Sequence, residues 1–245
     1  MLAGMADLDD PDEGRYARMR WNTALSVPHA ELLLDRLDLR AGLRIADIGC
    51  GWGELLLTAV ARAGAGTTGI GVDSDAAVLG RGRAEAARRG LDVEFTEADA
   101  ANWHGNADRV LCVGASHAFG GTGEALKSLA SAVPPGGRLL FGDGFWEGEP
   151  TTAARGIFGD EVQSLPGMLE ACRSAGWRVI HLSTADQREW DDFESTFRAA
   201  RQEWLLANPG HPRAAEIRDW LDSREREYVG VYRGVLGLAY TVLAH

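Results

Sequence analysis

Residues 44–57 read RIADIGCGWGELLL, and the fold turns on them. Ile45, Ala46 and Ile48 make a short apolar strand around Asp47. Gly49, Gly51 and Gly53 follow at alternate positions, enclosing Cys50 and Trp52, and a helix begins near Glu54. Small residues at the carboxyl end of a strand let a ligand touch the backbone, and the helix start behind them offers free N–H groups to an anion. Strand, glycine turn and helix together are the opening unit of a parallel sheet that holds a nucleotide-like ligand.

Outward from this unit the chain alternates strands and helices, the pattern of an α/β sheet covered on both faces. Strands are expected at 43–48, 67–73, 92–97, 107–114, 137–143, 177–183 and 235–244, which makes seven. Helices are expected at 54–63, 75–89, 122–132 and 167–175, with PPGG at 134–137 turning into the fifth strand. A helical N-terminal region is read over 15–38. Residues 1–14, MLAGMADLDDPDEG, are acidic and are expected to be a disordered tail. Residues 15–245 are expected to form a single domain.

The long gap between the sixth and seventh strands, 186–233, returns to helical periodicity. Trp190, Phe193, Phe197, Ala200 and Trp204 recur at steps of three and four, with Arg188, Asp191, Asp192, Glu194, Arg201 and Glu203 on the opposite face. A second stripe carries Ile217, Leu221 and Tyr228, and NPGHP at 208–212 separates the two. The aromatic stripe is either core beneath a helical pair or the roof of a substrate pocket.

Composition bounds the function. A chain of 245 residues with 45% hydrophobic residues builds a sizeable core, and no apolar run approaches the roughly 20 residues of a membrane span. A cytoplasmic location is expected. The formal charge of −11, without a basic patch interleaved with aromatics, disfavours nucleic acid and points to a small molecule. Cys50, Cys112 and Cys172 lie far apart and read as reduced and structural. No Cys/His zinc spacing appears, so no metal is expected.

The glycine spacing narrows the ligand. A dinucleotide turn runs G-x-G-x-x-G with a pyrophosphate over the helix start. Here it is G-x-G-x-G, with Glu54 next and Asp47 just before the turn. A carboxylate there is awkward beside a pyrophosphate but suits a ligand with a free ammonium group. S-adenosylmethionine has that ammonium, a carboxylate and no phosphate.

On these residues the chain resembles the class I S-adenosylmethionine-dependent methyltransferases, over about residues 40–183. ADIGCGWGE resembles their first motif, GIGVDSD (69–75) the second strand with its acidic end, EADAANW (97–103) the third site, and ADRVLCVGASHAFGG (107–121) with VPPGGRLLFGDG (133–144) the fourth and fifth strands. CGWG, with Trp52 between glycines, is similar to the cyclopropane-fatty-acid-synthase-like and other small-molecule enzymes. The resemblance implies a seven-stranded Rossmann-like sheet with helices on both faces. A helical insertion at about 186–233 and the N-terminal helices would cap it. It implies Asp73 on the ribose hydroxyls, Asp99 and Ala100 at the adenine, and Asp47, Gly49, Cys50, Gly51, Gly53, Ser74 and Gly114 around the rest of the cofactor.

The implied chemistry is direct displacement of a sulfonium-bound methyl by an acceptor oxygen, nitrogen or carbon, leaving S-adenosylhomocysteine. The protein aligns donor and acceptor and excludes water. His117, three residues past the fourth strand, is the first candidate base, since imidazole exchanges protons near neutrality; the competing reading is a loop histidine that bonds backbone. Asp143, at the end of the fifth strand, either orients the acceptor or braces the GDG turn. Tyr16, Trp21, Phe119, Phe145, Trp146, Trp190 and Phe193 are the expected acceptor-site aromatics. A monomer or homodimer is expected. Two other classes remain: a nicotinamide-dependent oxidoreductase, which Glu54 and Asp47 count against, and a non-catalytic or regulatory protein of the same fold that holds the cofactor.

Overall fold

A computed structural model describes Gly14 and residues 16–245; the expected tail lies outside the described residues apart from Gly14. Alternating strands and helices build one sheet: β1 (Arg44–Ile48), α2 (Glu54–Ala63), β2 (Thr68–Asp73), α3 (Ala76–Arg89), β3 (Val93–Glu97), β4 (Arg109–Val113), α4 (Thr122–Ala130) and β5 (Arg138–Trp146), preceded by α1 (Val27–Arg36). Then come α5 (Thr152–Phe158), β6 (Gln163–Ser164), α6 (Leu165–Ser174), β7 (Arg178–Thr184), α7 (Gln187–Ala207), α8 (Ala214–Glu227), a π-turn at Tyr228–Tyr232 and β8 (Leu236–Ala244).

The strand order is β3-β2-β1-β4-β5-β8-β7, with β6 paired to the end of β5. Every pairing is parallel except those of β8, which runs antiparallel to both β5 and β7. The seven expected strands are all present. The eighth, β6, is two residues long and has no periodicity to read.

Period-two alternation sends neighbouring residues to opposite faces. Ala46, Ile48, Val110 and Cys112 meet α4 and α6 through Leu126, Leu129, Met168 and Cys172 on one face. Ile45 and Leu111 meet α1 and α2 through Leu33, Leu34, Leu56 and Val60 on the other. Among the described residues no helix is long and apolar enough to cross a membrane.

The N-terminal region departs from the helix expected over 15–38. Helix starts only at Val27, where Ser26 caps it by accepting from His29 N (3.3 Å) and Pro28 takes a first-turn position that needs no N–H. Residues 16–24 run as turns and bends. The insertion is helical as expected, but its polar face is not solvated throughout. Glu194 is 0% exposed and Arg201 is buried, because α8 packs over that side of α7.

Candidate active site

The turn after β1 is held by the neighbouring strand: Gly49 N and Cys50 N both donate to Val72 O, at 2.8 and 3.0 Å. Gly49 and Gly53 have positive φ, and a Cβ on either would strike Ala115 (2.3 Å) or the Phe95 ring (2.4 Å). Gly51 also has positive φ, but a Cβ there would meet nothing within 4 Å. Gly49 and Gly53 are therefore packing glycines, while Gly51 borders open space.

That space is a cleft of about 480 Å³ at the carboxyl ends of β1, β2 and β4. Asp47, Gly49, Cys50 and Gly51 line it from the first turn, Asp73 and Ser74 from the second strand, and Asp99, Ala100 and Gly114 from the next two crossings. Of the ten expected cofactor positions, only Gly53 stands outside it. The cleft also takes in residues that the strand-end pattern does not single out: Asn22, Thr23, Trp52, Glu54, Val113 and Ala118. Trp52 and Glu54 are legible as neighbours of the glycines; Asn22 and Thr23 reach the cleft only through tertiary packing.

Three carboxylates give the cleft its character. Asp73 accepts from Gly51 N at 2.7 Å and Asp75 N at 3.0 Å, which fixes its orientation at the strand end. Asp99 caps a short 3₁₀ turn by accepting from Ala101 N at 3.0 Å. Asp47 is 4% exposed, and its carboxyl group makes no hydrogen bond or ion pair with the described residues. Burial, with the charge of Asp73 second, raises its carboxyl to about 8. A buried carboxylate that opens on a cleft and lacks a partner is matched by a cationic donor group. The ammonium of S-adenosylmethionine fits such a group, and Asp73 and Asp99 follow along the same cleft.

The acceptor side differs from expectation in several places. His117 sits on the 3₁₀ turn Ser116–Phe119, exposed and on the cleft wall. Asp143 does not line the cleft: its carboxylate accepts from Thr122 Oγ1 (2.6 Å) and Gly144 N (2.9 Å), tying β5 to the start of α4. Phe145 is buried in the main core. Trp146 is buried with Tyr228 and Tyr232 and stands edge-on to Phe158 at 6.2 Å. Phe119 is half-buried against the main core. These four aromatic and acidic positions brace the sheet end.

Trp21 lines the cleft, and Tyr16 packs on Trp52 with ring centroids 5.4 Å apart. Trp21 and Thr23 are shared with a second cavity of about 560 Å³, between residues 18–28 and the first half of α7, which Phe193 also lines. Trp190 is half-buried between two core clusters, its Nε1 enclosed without a partner. Beneath, His29 Nδ1 lies 3.0 Å from both Glu189 oxygens and its Nε2 2.7 Å from Ser183 Oγ. Glu189 further accepts from Ser26 N and Asp186 N, so α1 and α7 are joined at their starts.

Fold and cleft together define a class I S-adenosylmethionine-dependent methyltransferase. The family Mycolic acid cyclopropane synthetase matches residues 22–163, and the chain belongs to that family. It is 34% identical over 208 residues to the uncharacterized protein YjhP of Escherichia coli, covering 82% of this chain and 84% of YjhP. A SAM-dependent methyltransferase from Geobacter sulfurreducens, solved with S-adenosyl-L-homocysteine, superposes with a TM-score of 0.84 at 28% identity, covering 97% of this chain and 98% of that one. One from Thiobacillus denitrificans, also with S-adenosyl-L-homocysteine, gives 0.82 at 30% identity, covering 96% and 99%.

Proposed function

We propose that this chain binds S-adenosylmethionine in the 480 Å³ cleft and transfers its methyl group to a small-molecule acceptor. The observation that carries this reading is Asp47, a buried carboxyl group whose side chain has no hydrogen-bond or ion-pair partner among the described residues, at the head of a cleft whose next two acidic ends are Asp73 and Asp99. The S-adenosyl-L-homocysteine held by the two similar methyltransferases supports the same ligand class.

When bound, the cofactor supplies a methyl group on sulfonium and a neutral thioether leaving group. Asp47 holds the ammonium, Asp73 the ribose hydroxyls, and Asp99 with the Ala100 N–H the adenine edge. Trp21, Asn22 and Thr23 wall one side and exclude water, so that donor and acceptor meet in one orientation. His117, exposed on the wall and without a hydrogen-bonded side-chain partner among the described residues, takes a proton at a ring nitrogen when the acceptor is a hydroxyl or an ammonium. Alignment of this kind serves oxygen, nitrogen and carbon acceptors alike.

Calorimetry with S-adenosylmethionine on wild type and Asp73→Ala tests the assignment. Loss of charge-assisted hydrogen bonds is expected to weaken binding by about 1.5–3 kcal/mol each, with the fold intact by circular dichroism. Equal affinity in a folded variant would sink it. A screen of candidate acceptors for S-adenosylhomocysteine release, repeated with His117→Ala, then separates transfer from mere binding.

A further inference from the structure

Residues 16–26 form a strap with one firm end and one latched end. At the firm end Ser26 N donates to Glu189 Oε1 (2.7 Å), and the Thr23 and Tyr240 hydroxyls lie 3.1 Å apart where the strap enters α1. At the other end no helix or strand holds residues 16–20. Their polar anchors come mainly from α3 and from Trp52 and Glu54 on the wall of the cofactor cleft. Arg81, on α3, donates Nη1 to Tyr16 O and Nη2 to Met19 O, both at 3.0 Å. Its guanidinium also lies 4.4 Å from the centroid of the Trp52 ring. Trp52 in turn donates Nε1 to Arg20 O at 2.7 Å, and Arg20 reaches Glu54 at 3.6 Å. On the insertion side, an Arg18–Glu203 ion pair spans to α7 at 2.5 Å.

Arg81 forms no ion pair within 4 Å among the described residues. Both of its terminal nitrogens donate to backbone carbonyls of the strap, and its flat face lies on the tryptophan between the cleft's glycines. A planar guanidinium does both at once, its fork in the plane and its face on the ring, a geometry an ammonium lacks. The strap beyond it carries Trp21, Asn22 and Thr23, which wall the cleft.

We infer that Arg81 is a positioning residue that latches the strap across the cofactor cleft and thereby sets how long the cofactor stays bound. It rests on S-adenosylmethionine and its product occupying the cleft. Opening requires the two carbonyl bonds of Arg81 and the Trp52–Arg20 bond to break together. Closing aligns the Trp21 wall in the same event.

The test measures S-adenosylhomocysteine dissociation by stopped flow, alongside trypsin cleavage after Arg18 and Arg20, with and without saturating S-adenosylhomocysteine. In wild type, ligand is expected to slow cleavage at both sites. In Arg81→Ala, dissociation is expected to quicken about tenfold or more, as loss of charge-assisted bonds implies. Cleavage should also quicken at the strap alone, with the melting temperature within a few degrees. Arg81→Lys should fall between the two. Trp52→Phe keeps a smaller ring beneath Arg81 and deletes the N–H given to Arg20, so it should move both readouts in the same direction. Unchanged dissociation and cleavage in folded Arg81→Ala, or in Trp52→Phe if the first does not fold, would overturn the latch alone. Wild type that binds no S-adenosylhomocysteine would overturn the methyl-transfer reading and the latch with it.

Discussion

Asp47 decides how ligand binding responds to pH. Burial, and secondarily the charge of Asp73, raises its carboxyl from 3.8 to about 8, with the Cys50 thiol, Asp99, Glu54 and His117 around the same cleft. The free protein therefore carries Asp47 mostly protonated at neutrality, and pairing with an ammonium expels that proton. Cofactor affinity is expected to rise between about pH 6 and 8, and calorimetry in buffers of different ionisation enthalpy should detect a proton released near pH 7. Asp47→Asn should abolish that release and weaken binding by about 1.5–3 kcal/mol. The stability linkage has the opposite sense. A carboxyl raised on folding contributes stability below its unfolded value, near pH 4, and loses it as pH climbs towards 8. The ligand-free protein should thus gain stability from Asp47→Asn above neutrality, as thermal melts at pH 6 and 8 would show.

Asp47, Asp73 and Asp99 are legible in the sequence for one reason: each ends a strand or its turn, and parallel strands all deliver their carboxyl ends to one edge. Asp143 occupies the same kind of place and yet faces Thr122. Strand position fixes depth in the sheet, but a hydroxyl at the start of α4, the helix before β5, decides which way the Asp143 carboxylate turns. Phe145 and Trp146 fail for a related reason. β5 extends to Trp146, so both residues continue the strand into the core.

At the scale of elements, α7 shows how far periodicity carries. The aromatic stripe marks the helix and its inner face correctly, and Asp186 with Glu189 closes a capping box at its start. Nothing in one helix says what covers its other side. Glu194 holds Arg224 through both carboxylate oxygens, at 2.7 and 3.1 Å, and accepts from Tyr232 OH at 2.7 Å; Arg201 lies 4.0 Å from the centroid of the Trp220 ring. Those partners lie some 20 to 40 residues downstream, beyond any local pattern.

Trp190 and Phe193 separate packing from ligand contact on the same helix. Trp190 is wedged between two clusters with an enclosed, unpartnered N–H. Trp190→Ala should destabilise by about 3 kcal/mol, the low end for a large aromatic because it is only half-buried. Trp190→Phe, which removes the orphan donor, should cost under about 1 kcal/mol or stabilise. Phe193 borders the second cavity, so Phe193→Ala should raise the acceptor KM with a smaller loss of stability and unchanged cofactor affinity. Urea unfolding and steady-state kinetics on the three variants distinguish these outcomes.

For the whole molecule, the alternation of strands and helices makes the parallel sheet readable before any coordinate is known, because its central strands β1, β4 and β5 are dense apolar runs between turns. The lateral order of those strands is less so. β8, last in sequence, is interior, hydrogen-bonded to β5 on one side and β7 on the other. Leu236, Leu238, Val242 and Leu243 are all buried in it. At about 1.5–3 kcal/mol each, they rival the about 5–15 kcal/mol by which a domain is stable. Deleting residues 236–245 should therefore abolish cooperative melting, which calorimetry and near-ultraviolet circular dichroism would reveal.

The place of β8 also sets the timetable of biosynthesis. While the chain leaves the ribosome, β1 to β5 find one another as they appear, each beside a strand already made. β7 emerges with no strand to pair with, since its sole sheet partner among the described residues is β8, and α7 and α8 follow it out. The newborn molecule carries an unpaired edge on β5 and a loose β7 until residues 236–244 have emerged, so the interval between the emergence of β7 and that of β8 is when this protein is most exposed to aggregation.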